Sequence, residues 1–156
     1  MRILIFLSFL LFTFNAQAEV YQERFIAEIE QCLNAQNTSI PHDLVIAGGA
    51  VESDWGRSRF ALEGNALFGI RTYDLSIPHM KPLELPDANF GVKKYDSICA
   101  SIYDYIDLLE HSYQYEHFQI VLRFTSNPLI LVNTLDNYSE NKNYKQLLKE
   151  VIINVL

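Results

Sequence analysis

Apolar residues return every three or four positions along most of this chain, and one interior stretch breaks the rhythm. Between Val20 and Asn34, residues Phe25, Ile26, Ile29, Cys32 and Leu33 share one side of a predicted helix. Polar residues then interrupt, and Pro41 suits the first turn of the next helix, with Ser39 or Ile40 near its cap. From His42 to about Ser53 the chain reads as helix, with Leu44, Val45, Ala47, Gly48 and Val51 on one face. Gly48 and Gly49 each cost about 1 kcal/mol relative to Ala inside a helix, which predicts that another backbone approaches closely there. Ser58 is placed to cap a short helix over Arg59–Leu62, with Gly64 as its stop. Leu67 and Phe68 read as core, and Gly69 as a turn.

The rhythm fails over residues 70–94. Pro78, Pro82 and Pro86 exclude a helix, and the spacing of Tyr73, Ile77, Leu83, Leu85 and Phe90 fits short strands or an irregular hairpin. Helical spacing resumes from Tyr95 to Leu109, with Ile98, Cys99, Ile102, Ile106 and Leu109 on one stripe. Two short helices follow, over Tyr115–Phe124 and Pro128–Leu135. After the loop "NYSENKN", a last one runs over Tyr144–Val155. The expected class is α+β, mostly helical, with one small irregular β lobe.

The first 18 residues stand apart. Arg2 precedes an apolar run from Ile3 to Phe14, and Ala16-Gln17-Ala18 offers the small residues a signal peptidase reads. The run is shorter than the roughly 20 residues a membrane span needs. A signal peptide over 1–18 and a single domain over 19–156 are expected, with no membrane span after cleavage and a periplasmic location. Extracellular release is the other destination open to an exported chain. The net charge of −7 argues against nucleic acid, whose phosphates call for basic patches. The four histidines are scattered and no CxxC or HExxH occurs, so neither a metal nor another cofactor is expected. Cys32 and Cys99 fit either a disulfide, in an oxidising compartment, or two buried thiols.

Candidate chemistry concentrates in "AVESDWGRSRFALEGNALFG", Ala50 to Gly69. Glycoside cleavage requires a proton delivered to the leaving oxygen, and a carboxylic acid in apolar surroundings does this well. Glu52 ends an apolar helix, where the helix dipole disfavours a carboxylate. Asp54 nearby adds like-charge repulsion. Trp55, the only tryptophan, could shield the acid or stack on a sugar. A Glu next to a Trp is also the lysozyme arrangement of general physical chemistry. The competing reading is a structural ion pair of Glu52 with Arg57 or Arg59.

This stretch, with "VKKYDSICASIYDYIDLL" and "LDNYSENKNYKQLLKEVIINVL", resembles the bacterial glucosaminidase family of peptidoglycan hydrolases. Its spacing is closest to the Bax-like subgroup, and the likeness covers most of residues 44–156. The resemblance implies a lysozyme-like fold, Glu52 as catalytic acid and Tyr138 as a cleft tyrosine near it. It implies a second carboxylate from the β lobe, for which Asp74, Glu84 and Asp87 are available and Glu84 is chosen; the substrate's acetamido group is the alternative. Trp55, Asn65, Phe68, Tyr73 and Phe90 are the candidate substrate-binding residues. Peptidoglycan glycan strands are the expected partner of a monomeric hydrolase cleaving β-1,4 bonds next to N-acetylglucosamine. The rival is a non-catalytic wall-glycan-binding or protein-interaction module that keeps the fold. Ala66, standing where the family usually has Asn before Leu-Phe-Gly, favours that rival, while Asn65 sits one place earlier.

Overall fold

A computed structural model describes residues 19–136 and 138–156. The expected signal peptide, 1–18, lies outside the described residues. Helix α1 spans residues 19–33. Helix α2 (His42–Ser53) is buried continuously from Leu44 to Ala50, so it has no polar face and must be surrounded. It packs against α6 (Pro128–Val132) and α7 (Tyr144–Asn154). Pro41 stands one place outside α2 as its cap, and its carbonyl accepts from Leu44 N at 3.0 Å. The glycine pair in α2 meets side chains rather than another backbone. A Cβ on Gly48 would come within 3.2 Å of the Tyr105 hydroxyl, and one on Gly49 within 3.2 Å of Ile29. Thus α1 and α4 (Ile98–His111) approach α2 through large side chains that need the missing methyl groups.

Helix α3 (Arg59–Gly64) begins at Ser58, whose hydroxyl accepts from Ala61 N at 3.2 Å. Its stop is Asn65, at φ 51°, and not Gly64, which is its last helical residue. Gly64 serves a different end. A Cβ there would sit 2.5 Å from Met80 Sδ, so the β lobe closes down on that position. The lobe is three very short antiparallel strands, β1 (Arg71–Thr72), β2 (His79–Met80) and β3 (Gly91–Lys93), in the order β1-β3-β2. The last strand is therefore central, pairing Arg71 with Val92 on one side and His79 with Lys93 on the other. A sheet this small cannot hold itself together. Lys93 and the Tyr95 hydroxyl both reach Asp104 on α4, at 2.8 and 2.6 Å, and tie the lobe to the helical body. For that reason α4 starts later than the periodicity predicted. Tyr95 is an anchor of the lobe, and Ser97 is the cap, accepting from Ala100 N.

A 3-10 turn (Tyr113–Tyr115) leads into α5 (Glu116–Leu122). Cys32 and Cys99 are joined in a disulfide, with Cα atoms 5.2 Å apart, linking the end of α1 to the start of α4. This decides between the two readings of the cysteines. No helix among the described residues is long and apolar enough to cross a membrane. The architecture is the mostly helical α+β domain expected.

Candidate active site

Helix α2 ends abruptly. Asp54, Trp55 and Gly56 take φ values of 52°, 57° and 78°, three left-handed residues in succession. Left-handed backbone is costly for residues with a Cβ, and such runs persist only where the surroundings enforce them. Here the enforcing group is Ser53. Its buried hydroxyl donates to Gly49 O at 2.6 Å and accepts from Gly56 N at 2.7 Å. The reversal sends neighbours in sequence to different cavities. Glu52 lines a cleft of about 700 Å³, between the β lobe and the segment around Tyr138. Trp55 packs edge-on against Phe25, ring centres 5.6 Å apart, and lines a separate pocket of about 280 Å³.

Among the described residues Glu52 has no cationic partner. Arg57 is paired with Asp54 at 2.7 Å, and Arg59 binds Lys81 O at 2.6 Å and lies 3.5 Å from Glu63. Glu52 Oε1 is buried without a hydrogen-bond partner. Burial raises the carboxyl from 4.5 to about 7, and a hydrogen bond from the Ser139 side chain opposes the rise in part. Asp54 contributes nothing to this shift, being exposed and engaged with Arg57. An uncompensated carboxyl held near neutrality is the state a general acid needs, because the proton is present yet transferable.

Tyrosines, rather than the tryptophan, supply the burial. The Tyr138 ring stands edge-on to Tyr105 at 5.4 Å, lies stacked with Tyr144 at 5.5 Å and tilts towards Tyr115 at 6.2 Å. Tyr105 in turn stacks on Phe68 at 4.0 Å, with its hydroxyl against Gly48, one helical turn before Glu52. The Tyr105 and Tyr144 hydroxyls are buried near one another without a well-formed hydrogen bond. Burial pushes Tyr105, Tyr138 and Tyr144 above the ordinary tyrosine value, so all three stay uncharged.

The structure gathers only part of the predicted set. Tyr138, Phe68 and Tyr73 line the cleft with Glu52. The Tyr138 hydroxyl donates to Phe68 O at 2.8 Å, fixing the turn that precedes the β lobe. Phe90 touches the cleft indirectly, 6.1 Å from Tyr73 and beneath the guanidinium of Arg71. Trp55 and Asn65 line the other pocket, and the Asn65 side chain donates to Tyr95 O at 2.9 Å. Ala66, beside it, is buried and apolar. Glu84 is exposed in a turn of the β lobe, outside the cleft lining. The carboxylates that do line the cleft beside Glu52 are Asp136, held by Lys145, and Glu140, paired with Arg71 at 3.0 Å. Sequence reasoning missed these, along with Arg71, Tyr115 and Ser139. Two signals were available: Arg71 directly follows the Phe-Gly-Ile turn, and Ser139 and Glu140 sit inside the "YSEN" run.

A helical domain with a small β lobe, and a cleft between them walled by aromatic rings around an acid without a cationic partner, is an arrangement suited to cleaving glycans. The chain belongs to the glucosaminidase family. Residues 31–155 match the family model described as mannosyl-glycoprotein endo-beta-N-acetylglucosaminidase. The match supports hydrolase activity on glycans of the peptidoglycan type. No curated protein and no solved structure matches the chain.

Proposed function

We propose that this protein is an exported peptidoglycan hydrolase that cleaves β-1,4 bonds next to N-acetylglucosamine, with Glu52 as general acid. The observation that carries this reading is the state of Glu52: buried among tyrosines, without a cationic partner among the described residues, and raised to about 7. A protonated Glu52 delivers its proton to the glycosidic oxygen as the bond to the sugar breaks; water then adds to the anomeric carbon and releases one proton to solvent, from which Glu52 is reprotonated. Tyr138 acts beside it. Its proton is engaged by Phe68 O, and its oxygen can still accept a hydrogen bond from the water or the acetamido group. Export is supported by the apolar leader and by the Cys32–Cys99 disulfide, which persists in oxidising compartments. The protein is expected to act as a periplasmic monomer with no cofactor.

The test is digestion of purified peptidoglycan by the wild-type protein and by Glu52→Gln, with mass spectrometry and reducing-end analysis. New N-acetylglucosamine reducing ends from the wild type alone sustain the proposal. New N-acetylmuramic or anhydro ends would keep the acid and change the reaction. Binding without cutting by both proteins would establish a glycan-binding module instead.

A further inference from the structure

Among the described residues that line the Glu52 cleft, one is positively charged. Arg71 opens β1, immediately after the turn that Tyr138 fixes. Its backbone is set by the sheet: Arg71 pairs with Val92, and Ile70 O accepts from Lys93 N at 2.9 Å. Its guanidinium carbon lies 4.7 Å from the centre of the Phe90 ring, a cation–π contact that limits how the side chain can move. Its ionic partner is Glu140, 3.0 Å away, in the segment between α6 and α7.

Arg71 is half-exposed and Glu140 more exposed still, and ion pairs of that kind contribute roughly 0–1 kcal/mol. The pair therefore does little for the fold. A chain of net charge −7 has nonetheless placed its one cleft cation on a rigid strand, braced by a ring, opposite a carboxylate on a loop. A guanidinium fork matches a carboxylate in shape and charge, whereas a neutral sugar offers only hydroxyl and amide groups.

We propose that Arg71 forms an anionic subsite of the cleft, which takes a carboxylate carried by the glycan close to the scissile bond, with Glu140 holding the place until substrate arrives. The inference rests on reading the cleft as a glycan-cleaving site, and it adds the residue that selects carboxylated strands. The ligand is an N-acetylated glycan bearing carboxylates, on a lactyl ether or its peptide branches, in preference to a neutral N-acetylated oligosaccharide. Breaking the exposed pair with Glu140 costs at most about 1 kcal/mol, less than a carboxylate held by both arms of the guanidinium fork returns, so the exchange leaves a net gain.

The experiment compares two forms of one polymer: soluble glycan strands with free carboxylates, and the same strands after carbodiimide coupling of those groups to methylamine. The full chain, expressed with its own N-terminal segment, is assayed for cleavage. Glu52→Gln is assayed for binding to both. The wild type is expected to prefer the carboxylated strands by about tenfold, the worth of a hydrogen bond to a charged group, mostly in KM. Arg71→Gln brings that ratio close to one, Arg71→Lys restores part of it, and Glu140→Gln raises it. Equal handling of the two strands by the wild type, or an equal loss on both in Arg71→Gln, overturns the subsite while leaving the cleavage reading intact. If nothing is cut but Glu52→Gln still binds carboxylated strands preferentially, and a second change at Arg71 abolishes the preference, the subsite stands and the cleavage reading falls.

Discussion

Glu52 and Trp55 are three residues apart, and the two cavities they serve have opposite characters. The unmatched groups gather at and behind the Glu52 cleft: a buried carboxyl oxygen without a partner, a solvated ion pair at its edge and, in the wall behind the acid, the unpaired Tyr105 and Tyr144 hydroxyls. Around Trp55 the groups are matched. The indole meets Phe25, Arg57 lies over the Tyr21 ring and pairs with Asp54, and the Asn65 amide reaches Tyr95 O. One side is left with unmatched groups, and the other holds α1, α2 and α3 together. Proximity within a motif, then, does not mean proximity within a site. A left-handed turn of three residues separates them.

The largest effect that would test this division is on turnover. Glu52→Gln is expected to lower kcat by roughly 10³-fold, within the range for a lost general acid, with no loss of melting temperature. An equal fall in both would make Glu52 a structural residue. Next in size is the disulfide. Reducing Cys32–Cys99, which closes a separation of 67 residues, is expected to cost about 4 kcal/mol in urea unfolding. Trp55→Ala should then cost roughly 2–3 kcal/mol, less than a core tryptophan because the residue is only half-buried. Its kcat should stay within a few-fold of wild type; a loss like that of Glu52→Gln would join the two cavities into one site.

A smaller effect follows from pH. Glu52 holds its proton more tightly in the folded protein, near 7, than at its ordinary value of 4.5. The associated stability is fully present below about pH 4.5 and is lost as pH rises through about 7. Against Glu52→Gln, which does not titrate there, the wild type should lose on the order of 2 kcal/mol between those limits. Activity should fall on the same basic limb, because only the protonated acid donates. A flat stability difference would mean that Glu52 is solvated. Smallest is Tyr138→Phe. It should cost about 1 kcal/mol for the hydrogen bond lost to Phe68 O and roughly tenfold in turnover, measured on the same digest.

Helix positions were legible in the chain because they rest on local rules. Periodicity located α2, α4 and α7, and the Ser58 cap was visible from spacing alone. The wall of the site was not. Tyr105 sits beside Ile106 in the apolar stripe of its helix, a position that says nothing about a site, and only the fold shows its hydroxyl meeting Gly48 behind the acid. The β lobe hid its order because its central strand is the last in sequence, a pairing that no local pattern encodes. Glu84 was chosen from that lobe by class of residue. The turns between Pro82 and Asn89 leave it in solvent, while Glu140, in a loop with no pattern of its own, borders the cleft.

The backward-twisted end of α2 also has a meaning for how this protein can change. Asp54 and Trp55 each occupy a conformation that suits glycine, and a side chain in it costs on the order of 1–2 kcal/mol per residue. Position 54 faces solvent, so glycine there would relax the backbone and forfeit only an exposed contact with Arg57. A lineage carrying this sequence thus keeps an untapped reserve one step from its most sensitive residue, and random variation can spend it to tolerate an otherwise damaging change elsewhere.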